Sequence, residues 1–166
     1  MNVRPKRKRI QDPASDVPII LVVEDDWDNL LLISHILIFL KCNFITATKG
    51  QDALDLATKY EIDLVLLDLV LPDINGFEVI DYLKQNLATQ RMPIIAISGL
   101  VKIKERDRAT AAGCDDYLTK PYLIDDLQQK IRQYLPVSRV GKTWTQIISS
   151  INFSPWRSLM LLCSQP

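Results

Sequence analysis

Cysteine, glycine and histidine are all scarce in this chain of 166 residues, with three, five and one of each. The cysteines stand at 42, 114 and 163, too far apart for a CxxC zinc or redox pair. Their odd number argues against a secreted disulfide framework, so a reduced, cytosolic setting is expected. No GxGxxG occurs among the few glycines, which removes the dinucleotide fingerprint. Gly141-Lys142-Thr143 looks like the end of a P-loop, but the glycine required five residues earlier is Pro136. No apolar run approaches the roughly 18 residues of a membrane-spanning helix. The first apolar block, Ile19 to Val23, is too short for a signal sequence. The single histidine, His35, lies in an apolar helical stretch and reads as a packed or partly exposed side chain.

Net charge is missing as well, because 20 Lys/Arg balance 20 Asp/Glu. That balance hides a partition. Residues 1–16 carry five Lys/Arg and two Asp, residues 17–135 carry 12 Lys/Arg and 18 Asp/Glu, and residues 136–166 carry three Lys/Arg and no acid. An acidic body between two basic ends is a poor nucleic-acid binder through its main surface. Residues 1–17 read as a basic, flexible arm, residues 18–136 as the folded domain, and residues 137–166 as an extension without a recognisable output domain.

What is present is alternation. PIILVV (18–23), NFITAT (43–48), IDLVLLDL (62–69), MPIIAIS (92–98) and DYLT (116–119) read as strands. Between and after them, residues 27–41, 51–60, 77–87, 102–112 and 123–135 show helical periodicity. Asp25 or Asp26 is expected to cap the first helix. In the last helix Leu123, Ile124, Leu127, Ile131 and Leu135 are expected on one side. Strands and helices in strict alternation demand a parallel sheet covered on both faces, with ligands at the carboxyl ends of the strands.

The residues at those ends are chemically loaded. Glu24, Asp25 and Asp26 follow the first strand, Asp68 the third, Ser98 the fourth and Lys120 the fifth. Converging carboxylates repel one another unless a cation joins them. Magnesium suits such a site, since it takes one or two carboxylates, keeps waters and contacts phosphate. A carboxylate can also attack phosphorus to form an aspartyl phosphate, and Asp68 is the natural nucleophile. Lys120 and Ser98 would neutralise and bond the phosphoryl oxygens. The phosphatases of the haloacid-dehalogenase type need a second aspartate two residues on, where this chain has Val70.

With these residues in place, the chain resembles the receiver domain of two-component response regulators, of the stand-alone, chemotaxis-regulator-like kind. The matching pieces are VVEDD (22–26), LLDLVLPDINGFE (66–78), IIAIS (94–98) and GCDDYLTKP (113–121), in order, over about residues 18–135. The resemblance implies a flavodoxin-like, five-stranded parallel sheet of order 2-1-3-4-5 with helices on both faces. It implies Asp68 as phosphoacceptor. It also implies Mg2+ held by Asp25, by Glu24 directly or through water, by Asp68 and by the backbone carbonyl of Val70. Ser98 and Tyr117 would form the switch, Lys120 would pair with the phosphoryl group, and the bond before Pro121 would be cis. The donor would be a histidine kinase or phosphotransfer protein. Output would be protein binding through the face of the fourth helix, fifth strand and fifth helix, which leaves homodimerisation through that face open. The domain would be no enzyme beyond assisting its own phosphorylation and dephosphorylation. Glu24 in place of aspartate, Ser98 in place of threonine and Gly99 in place of alanine are departures from the commoner pattern. The competing reading is a constitutive interaction module of the same fold, unregulated by phosphorylation.

In the extension, Trp144, Ile147, Ile148 and Ile151 fall at amphipathic helical spacing before Pro155. A helix packed on its own domain, on a partner or on an anionic membrane surface fits that pattern, as does a poorly ordered tail.

Overall fold

The computed structural model describes residues 7–8, 17–99 and 103–135. The expectations for most of the basic arm and for the extension after residue 136 fall outside the described residues. Strands β1 (Ile19–Val23), β2 (Asn43–Ala47), β3 (Leu64–Leu67), β4 (Ile94–Ser98) and β5 (Asp116–Thr119) form one sheet in the order β2-β1-β3-β4-β5. Every pairing is parallel. β1, β3 and β4 are buried along their whole length, as runs of Ile, Val and Leu covered on both faces must be.

Successive side chains of a strand point to opposite faces, and that alternation divides the core in two. Ile20, Val22, Leu64, Leu66, Ile95 and Ile97 pack with α1 (Trp27–Phe39) and α5 (Ile124–Tyr134). Leu21, Val23, Val65, Leu67, Ile94 and Ala96 pack with α2 (Gly50–Lys59) and α3 (Gly76–Gln85), and with Ala109 of α4 (Ile103–Ala111). The strand order reverses between β1 and β3, which opens the crevice where such folds place ligands.

Several boundaries differ from the sequence reading. β3 begins at Leu64 rather than Ile62, and Asp63 just before it clasps the start of β1, donating its amide to the Ile19 carbonyl and accepting the Ile19 amide on its carboxylate, both at 2.8 Å. Of the two caps expected for α1, Asp26 is the one used, accepting the Asn29 amide at 2.9 Å, in agreement with that reading. In α5 the inward stripe holds Leu127, Ile131 and Leu135 only. Leu123 and Ile124 are 72% and 39% exposed, because Leu123 is extended (φ −79, ψ 148) and stands outside the helical periodicity. Gln128 is buried in the same helix. α1 is apolar on both sides. Leu30, Ile33, Ile36 and Leu37 face the sheet, while Trp27, Leu31 and Ile38 remain 70%, 47% and 62% exposed. Within the basic arm, Lys8 is tied to the domain by exchanging backbone hydrogen bonds with Lys59 and Glu61 at 2.8 and 3.0 Å.

Gly76 opens α3 directly against the end of β3. A Cβ there would stand 2.5 Å from Leu69 Cα and 2.7 Å from the Asp68 carbonyl oxygen, and neither is a side chain that could move aside. Gly76→Ala is therefore expected to destabilise the domain by about 1–3 kcal/mol, the usual scale of overpacking, read as a lower urea midpoint. An unchanged midpoint would show that α3 slides along the sheet without cost.

Candidate functional site

Three backbone hydrogen bonds extend the sheet one step past the strands and fix the residues that follow them. Glu24 donates to Ala47 at 3.0 Å, Asp68 to Val23 at 2.9 Å, and Lys120 to Ser98 at 2.9 Å. Glu24, Asp68, Ser98 and Lys120 thus meet on one rim because a parallel sheet ends all its strands on the same side. Glu24, Asp68 and Ser98 are buried, while Asp25 is exposed at the mouth.

Lys120 Nζ joins the two buried acids. It donates to Glu24 Oε2 at 2.7 Å, to Glu24 Oε1 at 3.0 Å and to Asp68 Oδ2 at 2.5 Å. The other Asp68 oxygen, Oδ1, accepts the Val70 amide at 2.8 Å. Burial raises the pKa of Glu24, with the Lys120 hydrogen bond opposing that shift. Burial alone would lower the Lys120 pKa, but its bonds to Asp68 and Glu24 prevail and raise it. The peptide bond from Lys120 to Pro121 is cis, as the resemblance implies.

One oxygen from each of Glu24, Asp25 and Asp68 lies within 4.8 Å of the others. Three formal carboxylates against one ammonium leave an excess negative charge suited to a divalent cation. The donors are hard oxygens, and Asp25 faces solvent where a metal could keep its waters, so the group fits magnesium. With Asp26 committed to the α1 cap, Asp25 is left for this cluster. Val70 begins the following loop, 57% exposed.

Ser98 is wholly buried and its side chain hydrogen-bonds with Tyr117. Burial raises the Tyr117 pKa, and the Ser98 bond counters it. Three contributors went unread in the sequence. Asn29 donates to Glu24 Oε1 at 3.2 Å, and its position one turn into α1, after the acids, was the available signal. Tyr122, just past the cis bond, buries its hydroxyl without a partner among the described residues, and burial pushes its pKa up to about 12. Asp73 binds the start of α2, accepting the Gly50 and Gln51 amides at 2.8 and 2.9 Å. The Gln51 amide chiefly holds its pKa down at about 2. Beside the site, a groove of about 560 Å³ runs between β5 and α5, lined by Tyr117, Pro121, Tyr122, Leu123, Asp126 and Lys130.

Residues 20–132 match the family model described as the response regulator receiver domain. The chain is 37% identical over 112 residues to the cell cycle response regulator CtrA of Brucella ovis, covering 68% of this chain and 47% of that protein. The CtrA of Brucella abortus matches equally. The chain thus spans about half the length of the curated relatives it matches. Among solved structures, it is similar to the receiver domain of the sensor histidine kinase PA1611 from Pseudomonas aeruginosa, which has a magnesium ion coordinated in its active site cleft. Identity is 28% and the TM-score 0.67, over 71% of this chain and 97% of that one. A CheY-like receiver domain protein from Methanospirillum hungatei gives 28% and 0.66, over 71% and 93%. No helix among the described residues is long and apolar enough to cross a membrane.

Two outcomes test the electrostatics. Lys120→Met leaves two buried carboxylates facing each other, and losing one partner of a buried pair costs about 3–5 kcal/mol. The variant is expected to unfold at lower temperature in metal-free buffer and to regain more stability from magnesium than the unsubstituted chain does. Equal magnesium responses would refute the shared charge. The Asp73 carboxylate has a folded-state pKa below its ordinary 3.8, so its contribution is complete above that value and fades as pH falls toward about 2. Asp73→Ala should lower the thermal midpoint at pH 7, and the gap should close in acid. A gap independent of pH would exclude the charge as its source.

Proposed function

The chain belongs to the response regulator receiver family, and from that premise we propose that it is a phosphorylation switch with Asp68 as its phosphoacceptor. The observation that carries this reading is the position of the Asp68 carboxylate. It is buried at the end of the central strand, between the carboxylates of Glu24 and Asp25 on one side and the ammonium of Lys120 on the other. Glu24, Asp25, Asp68 and the Val70 carbonyl would hold Mg2+. The metal supplies charge neutralisation for the incoming phosphoryl oxygens.

An Asp68 oxygen attacks the phosphorus of a phosphohistidine on a kinase or phosphotransfer protein. The new O–P bond forms as the N–P bond breaks, and the electron pair leaves with the imidazole. The Lys120 ammonium, shared between Glu24 and Asp68, turns from Glu24 to pair with a phosphoryl oxygen. Ser98 donates to another, and Tyr117, already bonded to Ser98, follows it. Movement of that pair reshapes the surface of α4, β5 and α5, where the groove between Tyr117 and Lys130 offers a downstream protein its contact. The setting is the cytoplasm, and the chain's only reactions are its own phosphorylation and dephosphorylation.

Incubation with a small phosphodonor and magnesium should add one phosphoryl group by intact mass. The addition should require magnesium and be absent from Asp68→Asn. A folded, magnesium-bound protein that gains nothing would instead support a constitutive interaction module.

A further inference from the structure

The hydroxyl of Tyr122 is buried and has no hydrogen-bond partner among the described residues. A buried donor left unpaired carries the full cost of its lost hydration. A phenylalanine would fill the same space without that cost, so the fold alone gives no reason for the oxygen.

Its surroundings give one. Glu24 continues β1 by one residue, and strand alternation puts its side chain on the face of Ile20 and Val22, the side covered by α1 and α5. The bond to Glu24 from Asn29, a residue of α1, agrees with that side. Tyr122 packs against the same cluster, two residues past Lys120. The charges of Lys120, Glu24 and Asp68 all act on its hydroxyl.

In this arrangement Lys120 covers both Glu24 oxygens, at 2.7 and 3.0 Å, which leaves Tyr122 nothing to bond. The proposed phosphorylation changes that. Once the ammonium turns to a phosphoryl oxygen, Asn29 is the donor that remains on Glu24, and it bonds Oε1. Oε2 is then a buried carboxylate oxygen without its donor. A carboxylate has room for several donors, and one that ligates a metal is oriented by the bonds to its other lone pairs.

We propose that Tyr122 is a positioning residue whose hydroxyl donates to Glu24 when Lys120 leaves it, an exchange of donors that rests on the phosphorylation reading above. The hydroxyl is idle in the resting rim and bonded in the phosphorylated one. It acts through Glu24 and touches no reacting atom.

Tyr122→Phe removes the oxygen and keeps the ring. In metal-free buffer it should leave the thermal midpoint unchanged or higher. Added to Lys120→Met, which frees Glu24 permanently, it should lower the midpoint by several degrees. With magnesium and beryllofluoride as the phosphoryl mimic, Tyr122→Phe should bind the mimic about tenfold more weakly than the unsubstituted chain. The ring Cζ resonance of isotope-labelled Tyr122, assigned by its absence from Tyr122→Phe, should move downfield as the mimic binds. Equal affinities, or a resonance that stays in place, overturn the proposal and leave the phosphorylation reading standing, and they decide the matter alone if Lys120→Met does not fold. A destabilised Tyr122→Phe in metal-free buffer, or a folded double variant no less stable than Lys120→Met, also overturns it. An unsubstituted chain that binds no beryllofluoride overturns both.

Discussion

Two buried carboxylates share one ammonium, and the architecture of the site follows from that contact. Glu24 and Asp68 lie on adjacent parallel strands and would repel each other if left alone. Lys120 satisfies both, from a strand two places away from Asp68 in the sheet. The sheet makes this geometry inexpensive, since backbone bonds past the strand ends hold all three residues before any side chain is placed. The short α3 start beneath, with Gly76 pressed on the Asp68 carbonyl, closes the same floor from below.

Much of this was legible in the chain. Runs such as IILVV and LVLL are too apolar to be half-exposed, and their alternation with helical segments leaves little choice but a covered parallel sheet. The residues that follow such runs then share one rim by topology alone, which is how Glu24, Asp68, Ser98 and Lys120 could be named together. The competition for a single residue was not legible. Asp25 and Asp26 are chemically the same, and only the backbone angle at Asp26 decides which one caps the helix. Nor was the partnership of Lys120 with Glu24, which lie 96 positions apart and meet only through the order of strands.

Where the reading failed, periodicity lacked contrast. α1 is apolar almost throughout, so no pattern told Leu31 and Ile38 from the residues that face the sheet. In α5 the extended backbone at Leu123 broke the register that would have buried it. The roles of Asp73 and of Asp63, which fell inside the expected third strand, were hidden, because a carboxylate that captures a distant amide leaves no local mark.

Lys120 has one further consequence. Its ammonium is covalently part of the chain, so its effective concentration at the rim does not vary with the ions outside. Glu24 and Asp68 are paired as soon as the sheet has formed, whatever the solution contains. Asp25 keeps the rim net negative all the same, so a divalent cation would meet two paired acids and one unneutralised carboxylate rather than three bare charges. Folding is thereby insulated from the ionic environment, while the chemistry of the rim stays responsive to it.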